Sequence, residues 1–252
     1  MFVFTPTVTD NFTPNANPLN SANWTLFGAG FSPLQASSGA CIGTSIGSDC
    51  DELYTRVSFT NDQYAQFTLN ALGEGVAGSF VRASLAGSDG YALELVGPLG
   101  TGVDCSLSDN ETEIFDTTIT ANAGDVFILA VIGTTLYVFQ NNFQVPIITA
   151  TDTQLSSGLP GLFCGPAFTL GDSSIGNFVA GTAAIVNTPC ILFGARSPQI
   201  KVATPGGGTE ALISDSLQVL QGASQISGMV AGCNVPSISL RDAQQNKIVN
   251  PA

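Results

Sequence analysis

The chain has 252 residues, of which 44% are hydrophobic and only 10% are charged, and its 19 acidic and 6 basic side chains give a formal net charge of −13. This composition predicts a folded protein with a large apolar core and excludes a disordered one. The negative charge disfavours binding to nucleic acid and to anionic membrane surfaces. Because the sequence has no histidine, catalysis by Ser-His-Asp or Cys-His systems and metal ligation by histidine are excluded.

The chain is rich in glycine, with 28 residues, and has 13 prolines, a composition that favours short strands joined by turns. We therefore predict an all-β protein. The charge is uneven, because residues 1–185 carry 16 acidic and 2 basic side chains, whereas residues 186–252 carry 3 and 4. This shift predicts a main domain over 1–185 and a small β-rich appendage or docking arm over 186–252.

The segment from Phe2 to Phe12 contains neither a basic run nor a long apolar run, so we expect no secretory signal in this chain. Further along, a short Gly/Ser loop separates Cys41 from Cys50. A disulfide between these two cysteines would close the loop at a small entropic cost. Buried free thiols, as in a cytosolic or virion protein, are the alternative. No Cys-x-x-Cys pair is present, which disfavours a structural zinc site.

Alternation of apolar and polar residues predicts strands through the middle of the chain. The segment around Tyr64 to Leu69 alternates between two faces, and the next apolar segment predicts a hairpin with its turn at Gly87–Gly90. A second hairpin follows, with its turn at Asn122–Asp125. Strands that recur about every ten residues, with turn signals between them, are typical of a two-sheet sandwich.

The most apolar stretch of the chain is residues 124–152, and it is too interrupted to span a membrane as a helix. Its β-branched and aromatic residues favour strands, and Gly133 and Asn141-Asn142 favour tight turns. We predict three successive antiparallel strands, at Val126–Ile132, Thr134–Gln140 and Phe143–Thr149.

The order of several short motifs between residues 9 and 182 resembles that of the concanavalin A-like lectins and glucanases. It is most similar to the LamG-like members found in secreted sugar-binding proteins and phage structural proteins. The motifs are Asp10-Asn11-Phe12, Asn23-Trp24, Asp62-Gln63-Tyr64-Ala65, Val81-Arg82 with Tyr91, Gly124-Asp125, Asn141-Asn142, Asp152 with Gly158-Leu159-Pro160-Gly161-Leu162, and Asn177-Phe178. The resemblance implies a two-sheet antiparallel jelly-roll sandwich in which the strands of Phe12 and Phe178 lie side by side.

Three residues are candidates for glycan binding. Glu94 alternates with apolar neighbours and so points to one face of its strand, where it could bind a sugar or simply meet solvent. Arg82 and Tyr91 lie on the same predicted hairpin and could form a stacking and hydrogen-bonding platform on the concave face. Structural packing of the arginine across the aromatic ring is the alternative.

The same resemblance implies a calcium ion near the joined termini or at a loop rim, because related jelly rolls often hold one there. Asp10, Asp172 and Asn177 are the candidate ligands, since calcium takes carboxylate and carbonyl oxygens. The alternative is that these aspartates cap turns.

Glycoside hydrolysis would require two acidic residues facing each other across a cleft. The glucanases of the family carry them in a Glu-x-Asp-x-x-Glu strand motif, which this sequence lacks. The nearest acidic cluster, Asp49, Asp51 and Glu52, has a different spacing and is interpreted as a solvated turn. We therefore predict no catalytic residues and a protein that is not an enzyme.

Two functional hypotheses follow. The first is a structural or adhesive virion protein, such as a capsid decoration, fibre or tail-associated protein, that assembles as a homotrimer and contacts capsid or tail proteins of the same particle and surface glycans. The missing export signal, the acidic β-rich composition and the near-neutral tail, which could add a strand to a neighbour, favour it. The second is a carbohydrate-binding module or lectin of a secreted bacterial protein. Neither hypothesis requires a cofactor, although the lectin would be expected to use calcium.

Overall fold

A computed structural model describes residues 1–85, 89–100, 102–109 and 112–186, and beyond them only the backbone of four short strands. The chain divides into two compact units, one of residues 2–185 and one of Met1 with residues 186–252. Residues 87 and 88 of the predicted hairpin turn, and most of the predicted appendage, lie outside the described residues.

The first unit consists of strands and contains no helix in its described part. The strands are β1 (Phe2–Asp10), β2 (Trp24–Leu26), β3 (Leu34–Ser37), β4 (Ala40–Gly43), β5 (Asp51–Tyr54), β6 (Gln63–Leu72), β7 (Val76–Ala83), β8 (Tyr91–Val96), β9 (Gly102–Asp109), β10 (Thr112–Thr120), β11 (Val126–Ile132), β12 (Thr135–Gln140), β13 (Ile148–Thr151), β14 (Leu159–Gly165) and β15 (Ser173–Ile185).

These strands form two antiparallel sheets. The eight-stranded sheet has the order β13-β12-β11-β6-β15-β4-β3, with β1 paired to the second half of β15. The seven-stranded sheet has the order β10-β9-β8-β7-β14-β5-β2. Apolar side chains of both sheets pack into one shared core, which includes Phe67 and Phe127 from the first sheet and Leu93 and Leu107 from the second. The predicted all-β antiparallel sandwich is confirmed.

The first and last strands of this unit lie side by side, as the sequence predicted. Asp10 of β1 is directly opposite Phe178 of β15. Just beyond β1, the ring of Phe12 lies 6.3 Å from that of Trp24, which in turn lies 5.0 Å from the ring of Phe178. All three rings are almost completely buried, so the joined ends of the domain are part of its core.

The apolar stretch 124–152 forms strands, and two of the three predicted strands are confirmed as β11 and β12. Gly133, at a φ of +60°, makes the turn between them. The third strand begins later than predicted, at Ile148, because the backbone N–H of Gln144 donates to Asn142 Oδ1 (3.0 Å) and Pro146 has no N–H to pair. Among the described residues, no helix is both long and apolar enough to cross a membrane.

The described backbone of the second unit is a small antiparallel sheet. Its strands are β16 (Lys201–Val202), β17 (Ala211–Leu212), β18 (Ile238–Arg241) and β19 (Lys247–Val249), in the order β17-β16-β18-β19.

Candidate functional site

A groove of about 330 Å³ opens on the outer face of the seven-stranded sheet. Strand alternation creates this face: Leu93 and Leu95 of β8 point into the core between the sheets, so Ala92 and Glu94 point outward into the groove. In the same way β14 buries Leu162 in the core and presents its neighbour Phe163 to the groove.

A row of phenyl rings forms one wall of the groove. The ring of Phe27 lies 5.2 Å from that of Phe31 and 4.8 Å from that of Phe80, and Phe80 lies 4.9 Å from Phe163. Phe31 is only half-buried, whereas the other three rings are nearly inaccessible. The wall is therefore preformed, and Phe31 is its most accessible ring.

The loop that carries Phe27 and Phe31 is fastened to the start of β5 by backbone hydrogen bonds. The N–H of Phe27 donates to the carbonyl of Asp51 (3.1 Å), the N–H of Ser32 donates to that of Asp49 (3.0 Å), and the N–H of Asp51 donates to that of Ser32 (3.1 Å). This pairing places two aromatic side chains and two carboxyl groups at the same end of the groove.

Carboxyl groups dominate the polar lining of the groove. Asp49, Asp51, Glu94 and Glu113 all contribute to it, and within the described part of the chain no lysine or arginine does. Asp51 is only 4% exposed, and its Oδ1 has no hydrogen-bond partner among the described residues. The groove therefore contains a polar atom that a ligand could satisfy.

The environment of the groove changes the acidity of its carboxyl groups. Burial, with the charges of Asp49 and Glu94, raises the pKa of Asp51 to about 8. Burial and the nearby charges of Asp49 and Asp104 also raise the pKa of Glu94. The interpretation of Asp51 and Glu52 as part of a solvated turn is wrong: both lie in β5 and are buried, because this short strand is paired on both sides, by β2 and β14.

Glu52 points to the opposite side of β5 from Asp51, towards the interior. Its Oε2 has no partner within the described residues, and burial raises its pKa to about 8. Glu52 is thus part of the core and does not line the groove.

Of the three predicted glycan-binding residues, Glu94 lies in the groove and Arg82 does not. The guanidinium of Arg82 donates to three backbone carbonyls, from Nε to Asn61, from Nη1 to Leu155 and from Nη2 to Gly133, each at 2.8 Å. It is buried and lies 3.6 Å from Asp62 Oδ1. Arg82 therefore connects three loops at one end of the sandwich.

Tyr91 also lies away from the groove, because its ring is fully buried in the core between the sheets. Its hydroxyl donates to Asp152 Oδ1 (2.8 Å) and accepts from the N–H of Leu155 (3.0 Å). The strand register pairs Tyr91 with Val81, so Arg82 is one residue beyond it. In this structure neither Tyr91 nor Arg82 presents its side chain to a ligand on the outer face.

The three predicted calcium ligands are not brought together. Asp10 Oδ1 accepts from the N–H of Phe12 (2.8 Å) and Oδ2 from Trp24 Nε1 (2.9 Å). Asp172 precedes β15, whereas Asp10 pairs with Phe178, roughly 16–20 Å further along that strand. Calcium ligands lie within about 2.6 Å of the ion, so these residues do not fit a shared calcium site. Among the described residues, no group of three histidine, cysteine or acidic side chains could hold a metal.

Cys41 and Cys50 are buried and free in this structure, as are Cys105 and Cys164. The Cys164 thiol, on the opposite sheet, donates to the backbone carbonyl of Cys41 (3.8 Å), and burial raises the pKa of the Cys41 thiol well above its ordinary value. The predicted disulfide between Cys41 and Cys50 stays a prediction.

No protein-family model matches the sequence, and no curated protein matches it. Several solved structures match its fold. A laminarinase from Rhodothermus marinus is 10% identical with a TM-score of 0.52, and the match covers 73% of this chain and 100% of that one. The carbohydrate-binding module CBM66 from Bacillus subtilis is 18% identical with a TM-score of 0.46, covering 64% and 93%. The exoplasmic/lumenal domain of VIP36, in its Ca²⁺/Man3GlcNAc-bound form, is 12% identical with a TM-score of 0.44, covering 66% and 88%.

At these identities the similarity concerns the fold alone. The order of strands in the two sheets and the match to the laminarinase fold agree with the resemblance noted in the sequence. The chain has the jelly-roll sandwich fold of the concanavalin A-like lectins and glucanases.

Proposed function

We propose that the protein binds glycans in the groove on the outer face of its seven-stranded sheet. The observation that carries this proposal is the combination, in one groove of about 330 Å³, of a phenyl wall with four carboxyl groups. Sugars present apolar C–H faces and hydroxyl groups, so they need both an aromatic surface and polar partners of fixed orientation. The hydroxyls of Ser106 and Ser108 add further polar partners in the lining.

Binding to a panel of soluble oligosaccharides, measured by calorimetry, tests this proposal. We expect Phe31→Ala to weaken binding about 5- to 20-fold, because it removes the most accessible ring of the wall. Phe168→Ala is the matched control, since Phe168 is 72% exposed and does not line the groove. Binding that is unchanged by Phe31→Ala, or equally weakened by both substitutions, would place the glycan elsewhere.

We propose that binding occurs without cleavage. Glu94 is flanked on its face of β8 by Ala92 and Val96, so this strand offers no second carboxyl group.

A polysaccharide hydrolase is the second candidate, favoured by one observation: the buried carboxyl of Asp51 and the carboxyl of Glu94 line the same groove, as an acid and a nucleophile would. Incubation of the protein with β-glucans should release no new reducing ends. Release that disappears in Glu94→Gln would establish hydrolysis instead.

The setting in which the groove acts is a separate part of the proposal. We favour display on a virion, as a decoration, fibre or tail-associated protein that contacts capsid or tail proteins and forms a homotrimer. Secretion as a bacterial carbohydrate-binding module or lectin is the alternative, and the groove would serve either role. The mass of the assembled protein separates the two, because the first requires an oligomer and the second is expected to be monomeric.

A further inference from the structure

The charge of the groove indicates which glycans it accepts. The two basic side chains of residues 1–185, Arg56 and Arg82, both lie outside its lining. Arg82 is held by the backbone carbonyls described above, and Arg56 Nη1 donates to Asn23 Oδ1 (3.4 Å). The carboxyl groups therefore have no cation of this domain within the groove, and those that are ionised repel uronic acids and sulfated sugars.

The same face carries further negative charge beside the groove. Asp104 and Asp116 lie on β9 and β10, and the neighbouring carboxyl group of Asp116 raises the pKa of Asp104. Asp116 lies directly opposite Ser106, and Asp104 is two residues before Ser106 on the same strand. Both aspartates therefore lie on the sheet face that Ser106 presents to the groove. A cationic ligand approaching this face is attracted before contact.

Asp51 supplies an observation independent of the overall charge. It is buried at the base of the acidic end of the groove, lines the groove, and keeps Oδ1 without a partner among the described residues. The charged groups that face it are Asp49 and Glu94. A carboxyl group in this position is stabilised in its ionised form by a neighbouring positive charge, and an ammonium group could donate a charge-assisted hydrogen bond to the free oxygen.

We propose that the groove selects glycans with free ammonium groups, namely polymers of deacetylated amino sugars, and that Asp51 is the ion-pair partner of one such group. This inference rests on the glycan-binding function proposed above and names its ligand class. The sugar ring lies against Phe31, the ammonium group meets Asp51, and Glu94 and Asp49 add attraction from either side. The ring of Phe31 also favours a nearby cation over a neutral group.

Three β-1,4-linked tetrasaccharides that differ only at carbon 2 of each sugar test this inference. They are the tetramers of glucose, N-acetylglucosamine and glucosamine, which carry a hydroxyl, an acetamido and an ammonium group. Calorimetry with the full-length protein at neutral pH and low salt should give at least ten-fold tighter binding of the glucosamine tetramer. This advantage should shrink as salt is added, because it arises from charge.

Asp51→Asn should remove the advantage of the glucosamine tetramer, so that the three tetramers bind with similar affinities. The asparagine keeps the shape of the side chain and removes a buried carboxyl group, so we expect the fold to be retained, as thermal unfolding will verify. Glu94→Gln should reduce the advantage several-fold. Glu74→Gln is the control, because it makes the same change of charge at an exposed turn outside the groove.

The outcomes separate this inference from the function on which it rests. Equal binding of all three tetramers, or an advantage that survives in Asp51→Asn, would overturn the inference and leave glycan binding intact. If the protein bound none of the three tetramers and no glycan of a wider panel, both the inference and the proposed glycan-binding function would be overturned. Spermidine is the final comparison: binding as tight as that of the glucosamine tetramer would show that the groove recognises amines without the sugar, which would also overturn the inference.

Discussion

At the scale of single residues, the two neighbouring acids of β5 lie in different environments, so one is available to a ligand and the other affects stability. Asp51 lines an open groove, where a ligand can satisfy it, whereas Glu52 points into the core with Oε2 unpartnered among the described residues. Burial raises the pKa of Glu52 from 4.5 to about 8. Ionised Glu52 therefore opposes folding, because a charged group is poorly solvated in the core.

We predict that Glu52→Gln stabilises the protein at alkaline pH. Because the folded-state pKa lies above the unfolded value, the folded protein binds more protons between pH 4.5 and about 8, so stability falls as pH rises through this window. Near pH 9 the substitution should raise the free energy of unfolding by about 2 to 4 kcal/mol, and near pH 5 it should change it little. Urea denaturation of the variant and of the Glu74→Gln control measures this. A gain of the same size at both pH values would contradict it.

The sequence indicated Glu94 as a candidate and did not indicate Asp51, although both line the groove, and the reason is physical. Glu94 alternates with apolar residues on its own strand, which is a local pattern with a period of two. Asp51 belongs to an acidic cluster that resembles a turn, and its burial depends on β2, β14 and the loop of Phe31, all distant in sequence. The only local sign was that the apolar residues Leu53 and Tyr54 directly follow the acidic cluster, as expected in a buried strand.

At the scale of elements, the pairing of β1 with β15 closes the sandwich, and the motif order predicted it correctly. The pairing extends from Phe2 opposite Ile185 to Asp10 opposite Phe178. The roles of Arg82 and Tyr91 could not be predicted in this way. Their partners Asn61, Gly133, Asp152 and Leu155 lie in three loops that come together only when the two sheets pack.

We predict that Gly181→Ala loosens the pairing of β1 with β15. A Cβ at Gly181 would overlap the carbonyl oxygen of Thr5 and lie 2.8 Å from the N–H nitrogen of Thr7, so the strands would have to separate locally. The free energy of unfolding should fall by about 2 to 3 kcal/mol. Gly30→Ala is the control, because a Cβ there meets nothing within 4 Å. Equal denaturation midpoints for the two variants would show that β1 adapts without cost.

At the scale of the whole molecule, the first compact unit ends at Ile185. That unit runs from residue 2 to 185 and contains both sheets, the shared core and every residue that lines the groove. Its end lies at Ile185 because β15 continues to that residue and pairs there with Phe2. A shorter fragment, ending at Gly181, would remove the last pairs between β15 and β1.

We therefore predict that residues 1–185 fold alone and keep the oligosaccharide affinity of the full chain. With 16 acidic and 2 basic side chains, copies of this fragment should repel one another. Residues 186–252 have 3 acidic and 4 basic side chains, so copies of this segment lack such repulsion. In light scattering after size exclusion, we expect a trimer for the full chain and a monomer for residues 1–185.

A monomer in both cases would count against assembly through residues 186–252 and favour the secreted lectin. A trimer in both would place the interface on the sandwich, and loss of affinity in the fragment would mean that the groove depends on the rest of the chain.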